Sequence, residues 1–253
     1  MFYLQINFTF ASIKHQTIKN IFLMKYYLRF LFLFLSFACV FGSCKQFTDT
    51  KFISEGTIEY NITYLESEDN AMKDVMPKTM TLIFKDDKMA IDLTGGFGLF
   101  KATWVSDFDK RSFLQMVKIM NQKFAIMLDS NTVNEMNDKL PKLKVEFLDD
   151  TKKIANYHCK HAKINFENPK YPSFDIYYTN EINIKNPNWS TQFKAIDGVM
   201  LEYQMKRYNI EMKFTAKKII SAKDEPIDNT IFERPADYKL ISREHMDELL
   251  SSF

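Results

Sequence analysis

Cysteine is nearly absent from this chain, with three in 253 residues, at positions 39, 44 and 159. Cys39 and Cys44 belong to an apolar N-terminal stretch. Cys159 is left alone in the remainder, so no intramolecular disulfide is available and the fold must hold by packing. Histidine is almost as scarce, with four in all. The one tight cluster of metal-capable side chains is His158, Cys159 and His161. An extended strand would put at most two of them on one face, and a zinc site needs three or four ligands. No metal and no cofactor is expected. A Cys–His nucleophilic pair would also need an orienting group and an oxyanion hole, which no motif supplies. Glycine numbers six. The one glycine-rich stretch, Gly95-Gly96-Phe97-Gly98, lacks the Lys-Ser/Thr of a phosphate loop. It reads as a β-connection, with a lip over a hydrophobic ligand as its second reading. Excess charge is missing as well. Without the four basic residues of the first 44 positions, 30 basic side chains face 32 acidic ones, a net −2. That balance gives no electrostatic case for nucleic acid. The chain is expected not to be an enzyme.

Long apolar runs are limited to one. Phe30 to Phe41 is unbroken but falls short of the about 20 residues that span a bilayer. Lys25 and Arg29 precede it, and Gly42-Ser43 follow it directly before Cys44. This order is that of a secretory signal. The Gly-Ser-Cys junction resembles the lipobox of bacterial lipoproteins, with Cys44 as the lipidated residue and Met24 as the start of the signal. The expected organisation is residues 1–43 as signal, 44–55 as lipidated N-terminus and tether, and 56–253 as a single β-rich domain. The expected location is the cell envelope, lipid-anchored at the outer membrane and facing the periplasm, as a monomer.

Strict alternation of apolar and polar residues dominates the rest and argues for antiparallel sheet. Ile58, Tyr60, Ile62 and Tyr64 alternate with Thr57, Glu59, Asn61 and Thr63. Met80, Leu82 and Phe84 run to a tight turn at Asp86-Asp87, and Met89, Ile91 and Leu93 return. Phe100, Ala102 and Trp104 follow. Phe113 to Met120 is apolar on both sides and reads as a central strand. Asn121-Gln122 is read as a turn before Phe124, Ile126 and Leu128. Further strands are read at 143–148, 159–166 and 173–179, with Asp149-Asp150 as a turn. Val199 to Met205 and Ile210 to Thr215 complete roughly ten strands. Three short helices are read, at Ser67 to Met76, Ser130 to Leu140 and Arg243 to Ser251. The span 181–197 is the longest irregular piece. Three short helices are too little to cover an apolar face of ten strands. The sheet is therefore expected to curl, either around an open ligand site or into a filled core.

Three segments stand out, Thr151 to Ala162 (TKKIANYHCKHA), Ile196 to Tyr203 (IDGVMLEY) and Ile231 to Tyr238 (IFERPADY). They resemble motifs of small lipoproteins of Bacteroidetes-type bacteria, the DUF4412 and GLPGLI-like groups. Asn156 stands where the first motif has glycine, and Asn tolerates a left-handed backbone. Val199 replaces the usual proline after Gly198, and Asp237 the usual glycine before Tyr238. The resemblance implies a LolA/LolB-like fold, mainly β, with a curved antiparallel sheet forming a half-open barrel around a hydrophobic site. The favoured function is non-catalytic binding of an acyl chain or another apolar ligand. Strand parity nominates Phe84, Ile91, Trp104, Phe124, Leu201 and Phe214 as the lining, with Trp189 outside it. The alternative is an interaction module with a filled core that docks on another envelope protein.

Overall fold

The computed structural model describes residues 52–66, 76–207 and 210–251, within a compact unit running from Thr50 to Phe253. Cys44 and nearly all of the expected Ser67 to Met76 helix lie outside the described residues. Twelve strands form one sheet. A first meander comprises β1 (Gly56–Glu66), β2 (Thr79–Lys85), β3 (Lys88–Gly95), β4 (Phe100–Asp107), β5 (Ser112–Ile119) and β6 (Gln122–Asp129). Helix α1 (Ser130–Asp138) leads to a second meander. Its strands are β7 (Leu143–Ile154), β8 (Tyr157–Phe166), β9 (Phe174–Thr179), β10 (Val199–Arg207) and β11 (Ile210–Ser221). The short β12 (Lys239–Leu240) and helix α2 (Arg243–Ser251) end the chain's regular structure.

Neighbouring strands within each meander are antiparallel, and β1 pairs with β11 to join the two meanders at the middle of the sheet. β12 adds in parallel beside β6. The two ends of the strand order, β12 and β7, do not pair, so the sheet is open and not a closed barrel.

Local chemistry fixes the hairpins. Asp86 and Asp87 have φ of 50° and 57°, and Ala155 and Asn156 have φ of 47° and 71°. Two-residue hairpin loops favour such left-handed pairs because their twist matches that of the strands. The loop between β5 and β6 is Met120-Asn121, one residue earlier than the spacing suggests, with Gln122 already paired to Ile119. Asp149-Asp150 does not end a strand. The pair sits in a register shift between Leu148 and Thr151 inside a continuous β7, a β-bulge. Gly198 opens β10 against Tyr178. A Cβ there would lie 2.7 Å from the ring and 2.8 Å from the Thr179 carbonyl, which accounts for the glycine. Helix α1 is capped by Asp129, whose Oδ1 accepts the Thr132 N–H at 2.8 Å, rather than by the Ser or Asn inside it.

Cross-strand partners share a face, so the register sorts the side chains. Leu82, Ile91, Trp104, Gln115 and Ile126 form one row across β2 to β6. On this first face the main core gathers Ile58, Tyr60, Phe84, Ile164, Ile176, Leu201 and Phe214 with Ile182, Phe193 and Ile196. A second core joins Val117, Ile126 and Leu128 to Val133 of α1, Met246 of α2 and Trp189. The opposite face of β3 to β6 carries a third core, where Ala90, Val105, Leu114 and Ala125 lie under Ile231, Phe232 and Tyr238. Covering on both faces is why β5 carries apolar residues on both sides, Val117 toward the second core and Leu114 and Met116 toward the third.

Candidate functional site

The six residues nominated as a ligand lining lie on the first face. Phe84, Leu201 and Phe214 are buried in the main core, and Ile91 is packed against its edge. Phe124 packs instead on the second core, beside α2. Trp104 is half-buried, with its indole Nε1 enclosed and without a hydrogen-bond partner. The structure therefore brings four of the six to one core and parts Phe124 from it.

What covers this face is the irregular segment 181–197. Ile182, Ile184, Phe193 and Ile196 enter the main core, and Trp189 enters the second. Trp189 is thus buried, contrary to its expected place outside the apolar face. Asn188 holds the segment in shape. Its buried Nδ2 donates to the carbonyls of Ile196 at 2.8 Å and Gly198 at 2.9 Å, closing the loop on itself. Tyr60 donates from its hydroxyl to the Met200 carbonyl at 2.8 Å, so even the largest polar group of this core is satisfied. Tyr203 stacks on Phe214 with ring centroids 4.9 Å apart. Nothing in the sequence pattern marks residues 181–197 as filler, because they are irregular and carry their apolar residues without a period.

Titratable groups meet across β7 to β11. His161 Nδ1 lies 2.7 Å from Asp150 Oδ1, and its Nε2 lies 2.9 Å from Asp175 Oδ1. The ring stacks on Tyr177 at 4.6 Å. Burial pulls its pKa down, but the hydrogen bonds and charges of the two aspartates outweigh this and the net shift is upward. Lys152 Nζ lies 4.7 Å from the centroid of the same Tyr177 ring and bonds both oxygens of Glu202, at 3.1 and 3.0 Å. Lys213 reaches the other side of Glu202 at 3.1 Å. Burial opposes ionisation of Glu202, and the two lysines overcome it and hold its pKa low. In each group the partners favour the charged form over the neutral one.

The motif 151–162 is resolved in the same region. Cys159 turns into the main core, where burial pushes its thiol up to about 12. At that value it is neither nucleophile nor metal ligand at neutral pH. His158 pairs separately with Glu181 at 3.1 Å. The bulge in β7 supplies Asp150 to His161, which the expected turn at that position concealed. Among the described residues no group of three or more His, Cys, Asp or Glu side chains is placed to hold a metal ion.

The motif 231–238 packs Ile231, Phe232 and Tyr238 onto the third core. Arg234 Nη1 bonds the Tyr238 carbonyl at 2.6 Å, and Asp237 pairs with Lys123 of β6. Beside this segment lies a cleft of about 580 Å³, whose lining includes Val105, Leu114, Met127 and Phe232 together with Lys88, Asp107, Glu233 and Arg234.

An open, mainly antiparallel sheet with an irregular segment packed on its apolar face defines a mainly β domain. The family model for the N-glycanase peptide, N-terminal domain, matches residues 99–240, more than half of the chain, and the chain belongs to that family. The match runs from the residue before β4 to the last residue of β12 and contains all three sequence motifs. The match does not by itself confirm the lipoprotein groups that those motifs resemble. No curated protein matches the chain.

Proposed function

We propose that this protein is a non-catalytic interaction module of the cell envelope, anchored through lipid on Cys44 and facing the periplasm of the outer membrane. The observation that carries the reading is the plug. Ile182, Phe193 and Ile196, with Trp189 beside them, occupy the apolar face that a lipid carrier would keep open. Fully burying each of these side chains stabilises the fold by about 1.5–3 kcal/mol, so displacing them for a ligand would cost several such terms. The buried thiol of Cys159, pushed up to about 12, supports the reading of a domain without a nucleophile at this motif. The family's description names an N-terminal domain of an N-glycanase, which fits a domain that serves a glycan-directed partner instead of acting alone. The likeness to half-open LolA/LolB-type barrels fits as shared architecture, with the lipid site given over to protein side chains.

The test is a titration of purified protein with a fluorescent fatty-acid probe. A filled face predicts no saturable binding and no change in tryptophan emission. Stoichiometric binding that Trp104→Asp weakens would return the protein to the class of lipid binders. The anchor is tested apart from this, since Cys44→Ala is expected to leave an uncleaved precursor or to release the protein from membranes.

A further inference from the structure

At one end of the sheet two loops form a protruding apolar tip. The β3–β4 connection is a single 3-10 turn, Gly96–Gly98, and Phe97 at its centre is 91% exposed. Leu99 is 58% exposed, and Met120 of the β5–β6 loop is 63% exposed. The two loops are tied together, because the Met120 N–H donates to the Leu99 carbonyl at 2.6 Å. Gly96, Phe97 and Gly98 all have positive φ, of 56°, 53° and 86°, and Met120 has 55°. A bulky residue in the left-handed region is strained, and such strain collects at functional positions. Here it points an aromatic ring at solvent, where it gains nothing from the protein's own core.

Behind the tip runs a row of lysines. Lys101 on β4 is paired in register with Lys118 on β5, and Lys118 with Lys123 on β6. Like charges directly opposite one another are destabilising. Lys101 is relieved by Asp92 at 2.9 Å, and Lys123 by Asp237. Lys118, between them, has no ion pair among the described residues. Lys101 is two residues from Leu99 and Lys118 two residues from Met120, which sets the row about 7 Å behind the apolar ends. An interfacial element buries its apolar groups about 5–10 Å into the boundary of acyl chains and headgroups. Lysines at this setback then meet the headgroup layer.

We propose that this tip is a membrane contact, with Phe97, Leu99 and Met120 entering the acyl boundary of a bilayer and the lysine row, Lys118 foremost, meeting anionic lipid headgroups. A protein partner fits less well. Three separate side chains offer far less than the roughly 800 Å² that each side of a stable protein interface buries. The proposal goes beyond the anchored-module reading and does not depend on the anchor.

The test uses the full chain with Phe97→Trp, and in parallel Met120→Trp, mixed with vesicles whose acyl chains carry bromine. One set is phosphatidylcholine alone, and the other contains one quarter phosphatidylglycerol. The wild type, with Trp104 and Trp189, supplies the background. An N-terminal attachment holds the protein at the vesicle without carrying residue 97 into the acyl layer, so bromine quenching reports on the tip. The added tryptophan is expected to lose about half its emission on the anionic vesicles. Lys118→Glu is expected to raise the lipid concentration needed at least about five-fold. No quenching of either added tryptophan in a folded sample, or no association with vesicles at all, overturns the proposal. Quenching that is equal without phosphatidylglycerol overturns the role of the lysines.

Discussion

At the scale of the residue, the chain sets partners of opposite sign against its half-enclosed charges. His161 receives a carboxylate on each ring nitrogen, one from the β7 bulge and one from β9. Its folded pKa lies above its unfolded value. Such a group contributes stability that is full below the unfolded pKa, near 6.5, and is lost as pH rises through the folded one. Glu202 has the opposite sign, because its pKa is lowered and its contribution fades only as pH falls below the ordinary carboxylate range. The melting temperature should therefore fall between pH 6 and pH 9, and His161→Gln should remove much of that slope. Equal slopes for the two proteins would show that the imidazolium does not tie β7 to β9. Neither pairing was legible in the sequence. Asp149-Asp150 has the composition of a turn, and only the register of β7 against β8 reveals a bulge that aims Asp150 at the ring.

At the scale of the element, alternation was a good guide and irregular chain was not. The strands from Gly56 to Asp129 follow their period-2 pattern, and the Asn156 turn adopts the left-handed backbone that its motif requires. Boundaries slipped where a strand continued through polar residues, as β7 does to Ile154. The lining residues Phe84, Ile91, Trp104, Phe124, Leu201 and Phe214 share a face because parity is local information. What that face touches is not local. The plug at 181–197 gathers its apolar side chains through loop hydrogen bonds around Asn188, which no repeat announces. Phe193 is the center of that plug, fully buried and edge-on to Phe174 at 6.1 Å. Phe193→Ala should destabilise the protein by about 3–5 kcal/mol, read from urea unfolding. A loss below about 1 kcal/mol would mean that the plug is not part of the cooperative core, and the face beneath it could then open to a ligand.

At the scale of the whole molecule, the two meanders are joined by one seam and one loop. The seam is β1 against β11, from Gly56 opposite Ser221 to Glu66 opposite Glu211. The loop is 181–197, which sends Phe193 into the main core and Trp189 into the second, four residues apart. The second core is built largely from the first meander and the two helices, so Trp189 ties the β9–β10 loop of the second meander to the far strands of the first. Domains of more than about 150 residues often unfold in steps. This linkage argues for a single step here, because neither core keeps its packing once the loop leaves. Tryptophan emission, from Trp104 in β4 and Trp189 in the loop, should change at the same urea concentration as the far-ultraviolet circular dichroism of the sheet. Refolding should be slow for the chain's size, since the seam joins residues far apart in sequence and such pairing delays the transition state. Loss of the tryptophan signal well before the sheet signal would separate the meanders into independent units and remove the loop as their link.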